Sequence, residues 1–224
     1  SCPAVCGDNK YSNAGASSCS SCPTDYENSG DTAASHAGSA SCIITVSGGY
    51  YIGTAGDNSS NWDKCAGGTY KASHTVAYGS TSSCSACGGG KYSAAGSTSC
   101  TNISAGCYGT SASSACPAEC AAGTYAPAGS ASCSACTGRT KYSAKKAGSC
   151  STVSGGYYTT GRNTSGNNCT GQSQCTSGTY CASGEQKTCP SGYGASAAGS
   201  DAAADCYMSV AAAKYVKTAN DASA

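Results

Sequence analysis

Cysteine is the residue type that gives this chain its most distinctive chemistry, because 20 of the 224 residues are cysteines. Such a share is close to that of small secreted scaffolds held by disulfide bonds. Disulfides persist in oxidising compartments and are rare in the cytosol. The composition therefore predicts an extracellular or cell-surface protein that is cross-linked through sulfur.

Metal binding is the alternative use of these thiols, and three Cys-x-x-Cys pairs begin at Cys19, Cys84 and Cys133. Structural zinc needs four thiolate or imidazole ligands in a tetrahedral arrangement. The chain has two histidines, and neither lies at ligand spacing from a cysteine pair. A thioredoxin-like redox site is also disfavoured, because no βαβ pattern surrounds a pair. We therefore expect disulfides, no metal site and no cofactor.

Catalysis has little support in the distribution of acids and bases. His36 and His74 lie in loops rich in Ser, Ala and Gly, whereas a Ser/His/Asp set needs a base held on a rigid scaffold. The 11 acidic residues are scattered, and several stand beside Asn or Gly as turn residues do. The pair Asp57-Asn58 fits a turn better than a calcium ligand. The sequence predicts a protein that is not an enzyme, with no catalytic residues.

Large apolar side chains are scarce. The chain has no Phe and no Leu, and Ile and Val together supply ten side chains, while Gly, Ser and Ala fill 111 positions. Burial of such side chains stabilises a fold by ~1.5–3 kcal/mol each. Because so few are present, we expect modules that are held together by disulfide bonds rather than by an apolar core. The net charge of +1 gives no basic face for nucleic acid. No apolar run approaches the ~20 residues of a membrane span.

An internal repeat organises the chain. The spacing of Cys2, Cys6, Cys19 and Cys22 recurs 114 residues later. The phrase Thr-Val-Ser-Gly-Gly-Tyr-Tyr occurs at 45–51 and again at 152–158. Such self-similarity is the signature of repeat architectures. It predicts two copies, 1–115 and 116–224, with the last module of the second copy cut short.

Each copy is predicted to consist of short modules in which a Cys is followed by Tyr, then by small residues, then by a second Cys. Tyr and Thr suit short strands and the Gly-rich stretches suit turns, so each module is expected to be a hairpin closed by its own disulfide. Local pairing gives Cys6–Cys19, Cys22–Cys42, Cys65–Cys84, Cys87–Cys100, Cys107–Cys116, Cys120–Cys133, Cys136–Cys150 and Cys189–Cys206. Cys2 would pair upstream of Ser1, and three cysteines are left without an assignment: Cys169, Cys175 and Cys181.

Glycans and aromatic contacts are the remaining candidate features. Asn-x-Ser/Thr sequons, which accept N-glycans in secreted proteins, occur at Asn58, Asn102, Asn163 and Asn168. Trp62 is equally compatible with an exposed contact and with a buried anchor. The tyrosines are expected to pack on disulfides rather than to form a binding stripe. The helix-friendly stretch 211–215 aligns with 105–108 and is interpreted as a further module.

The phrase Gly-Thr/Lys-Tyr-Ser…Gly-Ser-x-Ser-Cys, seen at 90–100 and, with Ala126 in place of that Ser, at 123–133, resembles the ephrin-receptor-like cysteine-rich repeat. The composition of the repeat, rich in Ala, Ser and Gly, is most similar to that of microbial (protist or bacterial) surface proteins. The resemblance implies extracellular disulfide modules and no catalytic residues. The doubled Gly-Gly-Tyr-Tyr elements and the uneven cysteines 169–181 depart from the family pattern.

The expected fold is a small, disulfide-rich, all-β tandem array of hairpin modules with much coil. Because modules of such arrays contact only their neighbours, the array is expected to be elongated and open-ended. The leading functional hypothesis is a structural component of an extracellular filament, surface appendage or cell coat, formed by self-association. The alternative is an adhesin or receptor-like ectodomain that binds a glycan or a protein partner.

Overall fold

A computed structural model describes residues 5–30, 32–162 and 168–210. These residues form short antiparallel hairpins, three short 3₁₀ helices and connecting coil, and contain no α-helix. The predicted class, small disulfide-rich all-β with much coil, is confirmed. None of the helices in the described ranges is long and apolar enough to cross a bilayer.

The chain divides into two compact units. The first comprises Ser1–Ile103 and Gly109–Pro117, and the second comprises Ser104–Tyr108 and Ala118–Ala224. The boundaries between the units fall between residues 103 and 118, the stretch in which the first sequence copy is predicted to end. The division into repeat copies 1–115 and 116–224 stays a prediction from the sequence.

The first unit is built from two-residue strands and one pair of four-residue strands. The strands are β1 (Lys10–Tyr11), β2 (Ser20–Ser21), β3 (Ile43–Val46), β4 (Tyr50–Tyr51), β5 (Asp63–Lys64), β6 (Thr69–Tyr70), β7 (His74–Ala77), β8 (Ser85–Ala86), β9 (Lys91–Tyr92) and β10 (Thr101–Asn102), and the 3₁₀ helices are Ala33–His36 and Ser39–Ser41. The antiparallel pairs are β1–β2, β3–β7, β4–β5, β6–β8 and β9–β10.

The second unit repeats the same construction. Its strands are β11 (Cys107–Tyr108), β12 (Ala118–Glu119), β13 (Thr124–Tyr125), β14 (Ser134–Ala135), β15 (Lys141–Tyr142), β16 (Ser151–Thr152), β17 (Tyr157–Thr160), β18 (Gly171–Gln174), β19 (Thr179–Ala182) and β20 (Glu185–Thr188), and its 3₁₀ helix is Ala203–Asp205. Each odd-numbered strand pairs with the strand that follows it.

Most first strands begin on the Lys-Tyr or Thr-Tyr dipeptides of the repeat. In β13, for example, Thr124 lies opposite Ala135 and Tyr125 lies opposite Ser134. An isolated hairpin of this length is marginal in water. The strands therefore depend on the disulfide that closes the module and on contacts with other modules of the same unit.

The two copies differ where the second lacks the sequence of β7. In the first copy β7 separates the paired strands β6 and β8, and β7 itself pairs with β3. In the second copy β19 leads directly into β20, with Ala182 opposite Glu185. Ser183 and Gly184 both have positive φ (53° and 74°), as a tight type I′ hairpin turn requires.

A small apolar core lies in the first unit, which the scarcity of aliphatic residues did not lead us to expect. Strand β3 alternates exposed and buried side chains, so Ile44 and Val46 face inward. Val76 of β7 lies opposite Ile44. The core cluster is Tyr26, Cys42, Ile44, Val46, Ile52 and Val76. The first unit is thus both stapled and packed.

Tyr26 joins this core to a polar contact. Its ring meets the edge of Tyr78 at a centroid distance of 5.2 Å, and its hydroxyl donates to the carbonyl oxygen of Asp57 at 2.7 Å. Burial, followed by the nearby negative charge of Asp57, raises the pKa of Tyr26 above its usual value. The neutral phenol, which can donate this hydrogen bond, is therefore favoured.

The first prediction concerns this core. Ile44→Ala should lower the free energy of unfolding by about 2–4 kcal/mol, since it removes a buried branched side chain and leaves a cavity. The matched control is Ile43→Ala in the same strand, because Ile44 is 3% and Ile43 is 40% exposed. The control should cost less than about 1 kcal/mol. Denaturant unfolding of the oxidised protein measures both values, and equal losses would contradict a core in the first unit.

Candidate functional site

A recurring backbone contact between modules is the most regular feature of both units, and we call it the glycine clasp. Its first member is a buried glycine with positive φ that immediately precedes the first strand of a hairpin. These glycines and their φ values are Gly49 (84°), Gly106 (79°), Gly123 (84°) and Gly156 (75°). Glycine adopts this left-handed conformation without the steric cost that a side chain would impose.

Two backbone hydrogen bonds connect the glycine to two later modules. In the first clasp, the N–H of Cys65 donates to the carbonyl oxygen of Gly49 at 2.9 Å, and the N–H of Gly96 donates to the carbonyl oxygen of Cys65 at 2.8 Å. The same two bonds, at 2.8–3.0 Å, recur in three further sets: Gly106–Cys120–Lys146, Gly123–Cys136–Asn168 and Gly156–Cys175–Gly199. The central cysteine is almost completely buried in every set.

The carbonyl group of the third clasp residue packs directly against the first glycine. A methyl group built on Gly49 would lie closer than 3.0 Å to the carbonyl oxygen of Gly96. Methyl groups built on the other three clasp glycines would lie equally close to the carbonyl oxygens of Lys146, Asn168 and Gly199. These third residues also have positive φ, and this conformation turns both their N–H and their C=O toward the clasp. The first position of the clasp therefore requires glycine for two independent reasons.

Side chains at the third position lie beside the residue that precedes the central cysteine. Lys146 forms an ion pair with Glu119 at 3.1 Å, and Lys145 adds a second at 3.0 Å. Hydrogen bonds from these two lysines lower the pKa of the exposed Glu119 carboxyl below its usual value. A side chain is thus tolerated at the third position, whereas it is excluded at the first.

Buried serines add a second link between neighbouring modules. Ser143 is 2% exposed, and its hydroxyl donates to the carbonyl oxygen of Thr124 at 2.9 Å. Its own carbonyl accepts from the N–H of Gly123. Equivalent bonds join Ser93 to Thr69 and Gly68, and Ser196 to Thr179 and Gly178. The serine of the Lys-Tyr-Ser phrase therefore has a structural role that its spacing alone does not indicate.

The predicted cysteine sites lie within the modules, as local pairing predicts. The structure joins Cys6 to Cys19, Cys22 to Cys42, Cys65 to Cys84, Cys87 to Cys100, Cys120 to Cys133, Cys136 to Cys150, and Cys189 to Cys206. Cys107 and Cys116 also carry disulfide bonds, and their pairing with each other stays a prediction. So dense a set of disulfides is typical of extracellular proteins.

Two of the three cysteines that the sequence left unassigned form a bond. Cys175 pairs with Cys181 across six positions, because the shortened hairpin β19–β20 of the second copy carries its cysteine in the strand itself. Cys169 is a free thiol and is completely buried. It lies in the segment between β17 and β18 where the second copy differs from the first. Cys2 lies outside the described residues.

The sequons occupy different environments. Asn102 is exposed in β10, where its side-chain oxygen accepts from Lys91 at 3.0 Å. Asn58 is half-buried, and its oxygen accepts from the N–H of Ser60 in a turn. Asn168 is the third residue of a clasp, and its side-chain oxygen is buried without a hydrogen-bond partner among the described residues. Asn163 lies outside the described residues, as does the stretch 211–215.

The other candidate side chains, Trp62, His36 and His74, make contacts within the fold. Trp62 is half-buried and packs against the apolar core, with its ring 6.4 Å from that of Tyr50. His36 is buried, and its two ring nitrogens lie 2.8 Å and 2.7 Å from the carbonyl oxygens of Lys10 and Gly30. Nδ1 of His74 lies 3.1 Å from the carbonyl oxygen of Ala72. Within the described ranges, no group of three or more His, Cys, Asp or Glu side chains could hold a metal ion.

Comparison with known proteins does not assign this geometry to a family. No family model matches the chain. No curated protein matches it at a significant level. The resemblance to ephrin-receptor-like repeats therefore stays a prediction from the sequence, and the clasp and the disulfide modules are the features that bear on function.

The second prediction tests the clasp. Gly49→Ala should lower the free energy of unfolding by roughly 3–5 kcal/mol, because it adds both left-handed strain and a backbone overlap. The matched control in the same unit is Gly79→Ala, since Gly79 has the same φ of 84° and nothing lies within 4 Å of its added methyl. The control should cost only about 1–2 kcal/mol. Denaturant unfolding separates the two, and a control as damaging as Gly49→Ala would show that conformation alone matters.

The third prediction concerns the free thiol. Iodoacetamide should leave Cys169 unmodified in the native protein, because the thiol is completely buried and the reagent cannot reach it. After unfolding in denaturant without reductant, Cys169 should be alkylated while the paired cysteines are not. Peptide mass mapping measures both states. Labelling of Cys169 in the native protein would contradict its burial.

Proposed function

We propose that this protein is a structural component of an extracellular filament, surface appendage or cell coat, built from tandem disulfide-stapled repeats. The observation that carries the proposal is the occurrence of the same clasp in both copies. Gly49–Cys65–Gly96 in the first copy and Gly156–Cys175–Gly199 in the second use corresponding phrases of the repeat and the same hydrogen bonds. A contact that repeats along a chain suits a protein that extends by adding equivalent units.

Composition and cross-linking support the same proposal. The modules are held by disulfides and by backbone contacts, so their stability does not depend on one large core. Small Ser, Ala and Gly side chains dominate the sequence and allow backbones of successive modules to approach closely. A scaffold cross-linked in this way stays folded outside the cell, where the protein is dilute and no chaperones are present.

The test is microscopy of the native source. Antibodies against the chain should label fibres or a continuous coat in negatively stained preparations, and reduction with dithiothreitol should weaken these structures. Recovery of the native protein as discrete, monodisperse particles would contradict a structural role.

The alternative is an adhesin or receptor-like ectodomain, and one observation favours it. The first unit contains an open polar cavity of about 590 Å³, lined in part by Asp8, Glu27 and Asn28. Trp62 does not support this alternative, since it packs against the core. Binding to a glycan or protein array that is lost in Asp8→Asn with Glu27→Gln, but retained in Trp62→Ala, would favour the adhesin.

The fourth prediction concerns N-glycosylation, which is compatible with both proposed functions. Asn102 is exposed and should carry a glycan when the chain passes through a secretory pathway that glycosylates. Asn168 should remain unmodified, since it is half-buried and its side-chain oxygen is inaccessible. Intact-protein mass spectrometry of secreted wild type, Asn102→Gln and Asn168→Gln measures the occupancy. A mass loss in Asn168→Gln but not in Asn102→Gln would contradict the prediction.

A further inference from the structure

A serine and a histidine of the first unit form a hydrogen-bonded pair. Nε2 of His74 lies 3.0 Å from Oγ of Ser82, and Nδ1 of the same ring lies 3.1 Å from the carbonyl oxygen of Ala72. The tautomer of the neutral ring follows from these partners. A carbonyl oxygen can only accept, so Nδ1 carries the proton and Nε2 is the acceptor. The hydroxyl of Ser82 therefore donates to the free nitrogen of a base.

Both members of the pair are anchored on the apolar core. His74 lies in β7 opposite Val46, a core residue. The N–H of Ser82 donates to the carbonyl oxygen of Ile52 at 2.9 Å, and the N–H of Ile52 donates to Oγ of Ser82 at 3.0 Å. Ile52 is completely buried in the same core. The sequence predicts a loop around His74, whereas the structure places it in a strand, which supplies the rigid scaffold that a base needs.

The pair remains accessible to small molecules. His74 and Ser82 are both half-buried, so part of each residue faces solvent although both are held in place. The N–H of Ser83, the next residue along the chain, has no acceptor among the described residues. It is available to a carbonyl oxygen on which negative charge develops during attack by Ser82.

The second histidine of the chain has different partners. The ring nitrogens of His36 face the carbonyl oxygens of Lys10 and Gly30, and the ring is buried. This imidazole is therefore turned toward the backbone and not toward a hydroxyl. The many other serines of the chain can serve as internal references for Ser82.

We propose that Ser82 is a nucleophilic serine that accepts an acyl group from an activated ester, with His74 as its general base. Oγ of Ser82 would form a bond to the acyl carbon while Nε2 of His74 takes the hydroxyl proton. The bond from the acyl carbon to the leaving oxygen then breaks, and the leaving group departs with the proton that Nε2 held. The products are an ester on Ser82, an alcohol and a neutral His74. This site goes beyond the proposed structural function and does not depend on it.

The hydrogen bonds of the pair favour this class of reaction. A serine hydroxyl is a weak nucleophile until an adjacent base takes its proton. The distance of 3.0 Å between Oγ and Nε2 lies within the range over which a general base acts. The bond from Nδ1 to Ala72 holds the ring in the tautomer that leaves Nε2 free, which is the role of the third group in a catalytic triad.

The test is covalent labelling of the full oxidised chain with a fluorophosphonate. Attack by a serine oxygen on phosphorus breaks the P–F bond, releases fluoride and leaves a stable adduct. In the native wild type, peptide mass mapping should locate the adduct on Ser82, at a rate at least about 100-fold above that of any other serine, because a general base contributes about 10²–10⁴-fold. Unfolding in denaturant without reductant should abolish this preference, since it separates the two side chains.

Two variants separate the basicity of the imidazole from its contribution to the fold. His74→Gln keeps a side chain that can hydrogen-bond to Ser82 but cannot take its proton, and it should slow the labelling of Ser82 by at least about 100-fold. The matched control is Ser73→Ala, which removes a hydrogen bond from a neighbouring serine to the carbonyl oxygen of Val46. It should be labelled on Ser82 at the wild-type rate. Circular dichroism and disulfide mapping check the fold of both variants.

Each outcome decides the inference. Equal labelling of several serines in the native wild type, or undiminished labelling of Ser82 in His74→Gln, would overturn it and leave the pair as a contact between β7 and the segment that follows. A matching loss in Ser73→Ala would attribute the effect to the fold and would also overturn it. None of these results changes what microscopy of the native source shows, so the acyl-acceptor site and the structural function can fail separately.

Discussion

Contact between bare backbones is the constraint on which this structure depends. At each clasp a carbonyl oxygen lies over the Cα of a glycine in a place where any side chain would overlap it. The contact therefore needs a residue without Cβ, in a conformation that other residues adopt only with strain. In exchange, buried backbone groups of three modules satisfy one another's hydrogen bonds, and unpaired buried groups would be costly. A sequence dominated by small residues is the expected solution to that requirement.

Sulfur and backbone have complementary roles in this arrangement. A disulfide reduces the conformational freedom of one unfolded module, but it does not position that module against its neighbours. The clasps and the buried serines provide that positioning, and the central cysteine of each clasp belongs to both systems. The first unit adds a small apolar core of Ile and Val residues.

The sequence predicts the local structure well, because the determinants of each module lie within it. The Cys-to-Cys spacing and the Lys-Tyr or Thr-Tyr dipeptides predict the hairpins and the disulfide bonds that close them. Contacts between modules are harder to predict. Lys146 and Gly96 share a clasp position although their side chains have nothing in common, since only the backbone is used. The bond between Cys175 and Cys181 was missed because it depends on the deletion that shortened one hairpin. The core was missed because composition averages over both units.

The order of the disulfides along the chain has a consequence for biosynthesis. In every bond of the structure that has been named above, the two partners are successive bonded cysteines, with no other bonded cysteine between them. For a chain that is translocated into an oxidising compartment, the native partner of each such cysteine is thus the next bonded cysteine to emerge. Vectorial emergence then favours correct oxidation one module at a time, except at Cys175, which emerges after the free thiol of Cys169 and before its native partner Cys181. A very long array of such modules can mature at the same pace as a short one.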